Sequence, residues 1–67
     1  MLIYVNKSVI RRMLKDAGAA RVSESAVRAL QDRLNRIAYD GAKKAVMLSK
    51  HAKRKTVEES DVRLAMQ

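Results

Sequence analysis

Cysteine and proline are both absent from this 67-residue chain, and glycine occurs only twice. Without cysteine there is no disulfide and no thiolate metal site. A single histidine, His51, cannot supply a multi-ligand zinc site of the usual kind. No metal site and no cofactor is therefore expected. Two tyrosines are the only aromatic residues. Single-strand binders stack bases on aromatic platforms, and this chain has almost none to offer. No apolar run is long enough for a secretory signal or a membrane span, since Leu2-Ile3-Tyr4-Val5 is far too short for either. The expected location is inside the cell, with no membrane partner. Catalysis is not expected, because the sequence holds one His, no Cys, no phosphate loop and no convincing carboxylate pair.

Positive charge is abundant. Fifteen Lys and Arg against seven Asp and Glu give a formal charge of +8 at pH 7. Such an excess on a small domain raises affinity for polyanions, meaning nucleic acid or an anionic membrane surface. The charge is spread along the chain. Residues 1–34 carry 7 basic and 3 acidic side chains and residues 35–67 carry 8 and 4, so each half is +4. This is not a neutral domain with a basic tail. Duplex backbone binding fits the composition better than single-strand binding.

The length allows one domain, 1–67, and a chain this short buries only a modest share of its surface. With disulfide and metal excluded, oligomerisation is the remaining staple. Charged residues intermixed with Ala, Leu, Val and Met favour helix nearly everywhere. Residues 2–5 fit an extended segment. Asn6 or Ser8 can cap a first helix at about 8–17, whose apolar face is Val9, Ile10, Met13, Leu14 and Ala17. Gly18 ends it as a left-handed residue would. After a loop, Ser23 caps a helix at about 24–52 with Glu24 in its first turn. Val27, Leu30, Leu34, Ile37, Gly41 and Leu48 line one seam, widened by Ala38, Ala42, Ala45 and Ala52. Lys53-Arg54-Lys55 forms a basic loop. Thr56-Val57-Glu58-Glu59 reads as a capping box, Thr56 being the cap, for a last helix at about 57–67. Val62, Ala65 and Met66 give that helix its apolar face, while Met13, Met47 and Met66 read as core or near-core filler. Two short helices cannot cover the whole seam of one very long helix. The expectation is an all-α, intertwined dimer in which two long helices cross.

Two separated segments carry a resemblance. The run from Ile10 to Ser23, IRRMLKDAGAARVS, resembles the first helix and first loop of archaeal histones. Lys50 to Val57, KHAKRKTV, resembles their second loop, and from His51 onward it is also similar to eukaryotic core histone four. The resemblance covers residues 9 to 66, and the spacing between the motifs leaves room for the long helix of a histone fold. It implies a handshake dimer, with loop one of each protomer beside loop two of the other at each end, and the paired first helices as a central DNA contact. Helix N-termini present free N–H groups to phosphate, and arginines enter a narrowed minor groove without reading bases.

Carried over residue by residue, Arg21 resembles the arginine that enters the minor groove from loop one. Thr56 resembles the threonine that supports it and reaches a phosphate. Arg12 matches a basic position of the first helix. Arg54 and Lys55 match basic loop-two residues, and Arg54 is similar to the arginine that pairs with the aspartate at Asp61. Gly18 resembles a loop glycine that permits close stacking. Leu48, His51, Asp61 and Leu64 resemble the residues that join dimer to dimer, where a His–Asp pair between protomers would make assembly pH-sensitive. With Arg11, Lys15 and Lys53 added on charge and position, the expected DNA contacts are Arg11, Arg12, Lys15, Arg21, Lys53, Arg54, Lys55 and Thr56.

The implied function is architectural. Dimers would wrap and compact double-stranded DNA with little regard to sequence, assembling into nucleosome-like particles on the chromosome in the cytoplasm. The partner is an identical chain or a histone paralogue. A different class is a histone-fold heterodimerisation subunit of a transcription or repair complex, which need not keep the DNA-contacting residues. The segment Met1–Lys7 departs from the family by lacking its usual proline, and the sequence stops at Gln67 without a short basic end. No disordered tail is expected, and so no tail modification.

Overall fold

A computed structural model of the chain describes residues 3–67. Three helices follow in order, α1 at Lys7–Asp16, α2 at Glu24–His51 and α3 at Glu59–Ala65, with no strand among the described residues. The architecture is all-α: a short helix, a central helix of 28 residues and a second short helix. At 1.5 Å per residue α2 is about 42 Å long. Two compact units divide the chain at Arg36 and Ile37, and α2 contributes to both.

The first unit, Met1–Arg36, owes its start to Asn6. Its side-chain oxygen accepts the Val9 N–H at 3.0 Å, satisfying one of the free donors of the first turn. That choice between Asn6 and Ser8 starts α1 at Lys7, one residue earlier than expected. At the far end Gly18 takes φ +115°, with Gly18 N–H on the Lys15 carbonyl and Ala19 N–H on that of Leu14. These are the two bonds of a Schellman motif, and they stop the helix. Ser23 then caps α2 by accepting the Ala26 N–H at 3.1 Å.

Ile10 and Val27 form the fully buried apolar centre of this unit. Beside Val27, at intervals of one helical turn, stand two polar residues that the apolar pattern does not reveal, Gln31 and Asn35, both buried. Asn35 Oδ1 accepts the N–H groups of both Tyr4 and Val5, at 3.0 and 2.7 Å. Gln31 Nε2 donates to the Val5 carbonyl at 3.0 Å. Of the expected extended residues, Leu2 lies outside the described ones, and Ile3–Val5 form no strand. One side-chain oxygen drawing in two successive amides bends the chain at Tyr4 and Val5. The same bonds satisfy these backbone groups without a sheet.

The second unit, Ile37–Gln67, is centred on Gly41, Ala45 and Ser49, successive turns of α2 that are all buried. Gly41 lies directly under Met66, since a Cβ there would meet Met66 Sδ. Ser49 donates its hydroxyl to the Val46 carbonyl, which allows a polar side chain to be buried here. The helix stops at His51 rather than Ala52 because Lys53 turns left-handed, at φ +60°. Lys53 N–H bonds the Lys50 carbonyl and Arg54 N–H that of Ser49, both at 2.9 Å. This is a second Schellman closure, with lysine in the place that favours glycine.

The start of α3 corrects the sequence reading. Glu58, not Thr56, is the N-cap residue, and the helix runs Glu59–Ala65 rather than 57–67. Asp61 reaches back to accept the Glu58 N–H at 2.8 Å, the role expected of Glu59 toward Thr56. Thr56 is instead held in the loop by its own carbonyl, which accepts from Arg54 Nη1 at 3.0 Å. Met66 follows as the C-cap.

Candidate nucleic-acid interface

Loop one, residues 17–23, is fixed at both ends by the Gly18 closure and the Ser23 cap. Arg21 projects from it, exposed and with no acidic partner among the described residues. On α1, Lys15 is exposed and likewise without an acidic partner among them, whereas Arg12 leans on Asp16 at 3.7 Å, a loose surface pair. Arg11 is differently placed. Its guanidinium meets Glu24 Oε2 at 2.5 Å, and Lys7 Nζ lies 3.3 Å from Glu24 Oε1. The Arg11 hydrogen bond, followed by that of Lys7, lowers the Glu24 pKa below its ordinary value. The sequence marks Glu24 for the α2 dipole. It gives no sign that the side chain also gathers two cations from α1.

Loop two, residues 52–58, is organised by Arg54. Its fork donates to Asp61 twice, Nη1 to Oδ2 at 2.9 Å and Nη2 to Oδ1 at 2.7 Å. Glu58 adds a longer contact at 3.6 Å. The two Arg54 bonds, then the Glu58 N–H, pull the Asp61 pKa down to about 2. The same Asp61 bonds raise that of Arg54. Arg54 is therefore the brace of the loop, and its neighbours Lys53 and Lys55 carry the exposed charge, with no acidic partner among the described residues. Thr56 is exposed beside them, and its hydroxyl takes no part in the α3 cap. Arg54, Lys55 and Thr56 thus come together in loop two of the second unit, and Arg54 ties that loop to Asp61 in the first turn of α3.

Leu48, His51 and Leu64 line one open groove of the second unit, together with Lys44 and Met47. Asp61 does not line it and is nearly enclosed. Three of the roughly four lone-pair positions of a carboxylate are filled within the loop, by Arg54 twice and by Glu58 N–H once. Large apolar side chains stay exposed on the same unit, among them Tyr39, Val46, Met47 and Leu64. Among the described residues no group of three or more His, Asp or Glu is placed to hold a metal, and no helix is long and apolar enough to cross a membrane.

A family model described as "Histone-like transcription factor (CBF/NF-Y) and archaeal histone" matches residues 4–66. The chain belongs to this family. Two curated relatives agree with that membership. The chain is 53% identical over 55 residues to "Probable archaeal histone 3" of Methanocaldococcus jannaschii, a match spanning 82% of each chain. It is 49% identical over 57 residues to one subunit of the archaeal histone HAN1 of Thermococcus zilligii, spanning 85% of each. The short, long, short order of helices is that of the histone fold expected from the loop motifs.

Proposed function

We propose that this histone-fold protein is an architectural DNA-binding protein, not an enzyme, that dimerises and packages double-stranded DNA with little regard to sequence. The observation that carries the reading is the contrast within its two loops. Each is locked by backbone closures, yet Arg21 in one and Lys53 and Lys55 in the other stay exposed without acidic partners among the described residues. Rigid loops that display cations suit phosphate contacts, which position a protein on a duplex without reading bases. Arg21 enters the minor groove, where negative potential is concentrated. Lys15, Arg12 and the Thr56 hydroxyl add contacts, while Arg54 acts by holding loop two in shape.

The dimer is a handshake, with an identical chain or a paralogue as partner. The exposed apolar side chains of the second half of α2 supply the motive, since large exposed apolar patches mark association surfaces. The groove of Leu48, His51 and Leu64 joins dimer to dimer on DNA, giving nucleosome-like particles on the chromosome. Asp61 has one lone pair left with which to meet His51 of another copy. The test is the mass of the pure protein in solution with and without duplex DNA. The reading requires a dimer without DNA and larger complexes with it. A monomer at micromolar concentration that leaves duplex DNA unbound contradicts it.

A further inference from the structure

Lys7 and Arg11 stand one turn apart on α1, and both end on the same carboxylate of α2. Glu24 holds Lys7 with one oxygen and Arg11 with the other. All three side chains remain about half exposed, between 43% and 52%. The cluster therefore sits where a polyanion reaches it. The other cations of α1 and loop one differ: Lys15 and Arg21 have no acidic partner among the described residues, and Arg12 has only a loose one. We propose that Glu24 is an internal competitor for DNA phosphate, withholding Lys7 and Arg11 from the duplex and setting how tightly this protein binds.

The inference rests on the DNA-binding reading and adds a residue that tunes it. Carboxylate and phosphate seek the same donors, and a guanidinium fork donates equally well to either. With Glu24 in place, a phosphate that takes Arg11 only exchanges one anion for another. It also approaches a fixed negative charge well inside the screening distance of about 8 Å at physiological salt. Counterion release from Lys7 and Arg11 is already spent on the protein's own carboxylate. Removing that carboxylate returns two cations to the surface, so the gain exceeds that from removing any one negative charge.

Asp32 is the control. It is an exposed acid on the same helix with no basic partner among the described residues. Glu24→Gln and Asp32→Asn each delete one negative charge. Titration of a short mixed-sequence duplex should show Glu24→Gln binding at least about threefold more tightly than Asp32→Asn. Its salt dependence should steepen by up to about 1.8 in log–log slope per chain, two phosphates at about 0.9 each. Arg11→Ala should cost little affinity in the natural background and clearly more in the Glu24→Gln background, a coupling that a merely structural pair would not produce.

Should Glu24→Gln fold poorly by circular dichroism, a pair of double variants decides instead. Lys7→Ala with Arg11→Ala should leave affinity within about twofold, while Lys15→Ala with Arg21→Ala should reduce it by the full loss of one phosphate contact and the minor-groove contact. Equal affinities and slopes for Glu24→Gln and Asp32→Asn, or a large loss from the Lys7 and Arg11 pair, overturn the competitor role while the DNA reading stands. Failure of the unaltered protein to bind the duplex overturns the DNA reading and this inference with it.

Discussion

Arg54 grips Asp61 with both arms of its guanidinium, at 2.7 and 2.9 Å, across the turn that leads into α3. One carboxylate thereby links three things: the loop-two arginine, the Glu58 amide and the first turn of the helix. The Asp61 pKa, about 2 against an ordinary 3.8, records the cost of protonating it.

Because the folded pKa lies below the unfolded one, the stabilisation is fully present above about pH 4. It is lost as the pH falls through about 2. The thermal midpoint should therefore drop across this window. Asp61→Asn should begin from a lower midpoint at neutral pH and lose less of it on acidification. Parallel curves for the two proteins would show that another group governs acid stability.

Lys53 sits at φ +60°, where a side chain is disfavoured by about 1 kcal/mol. Lys53→Gly should raise the thermal midpoint and lower DNA affinity, because it relieves the backbone and removes an exposed cation. Gly18 is the converse case. It has open space around it, so Gly18→Ala should destabilise through backbone strain alone. A Lys53→Gly protein that is less stable would refute the strain. One that binds DNA equally well would remove Lys53 from the contacts.

Arg21→Ala should weaken DNA binding without unfolding the protein, since Arg21 is exposed in a loop closed by other residues. Arg36 provides the comparison, being an exposed arginine on α2 away from both loops. Paired DNA titrations and thermal melts of the two alanine variants decide the matter. Equal losses of affinity, or an Arg21→Ala protein that no longer folds, would show that loop one does not carry the groove contact.

The helices are legible in the sequence because their signals are local. Asn6, Gly18 and Ser23 act within a few residues, and each occupies the role that its chemistry indicates. The α3 start is ambiguous for a related reason. Thr56 and Glu59 satisfy the capping-box spacing, but Glu58 and Asp61 satisfy it too, and Arg54 favours the second pair by binding both Asp61 and the Thr56 carbonyl. No pattern within α2 identifies Gln31 and Asn35 as buried. Their partners are backbone groups about thirty positions earlier, and polar side chains leave no mark in an apolar period. The site shows the same division. The exposure of Arg21, Lys53 and Lys55 follows from their loops, whereas the capture of Arg11 and Lys7 by Glu24 depends on the packing of α1 against α2.

Whether phosphate contacts rather than base recognition lead DNA binding is decided by titrating two unrelated duplexes across a range of salt. Each phosphate neutralised contributes about −0.9 to the log–log slope. A steep slope common to both duplexes is expected, with affinities that differ little between them. A shallow slope, or discrimination of about 1,000-fold or more between the two, would rule out phosphate-led binding.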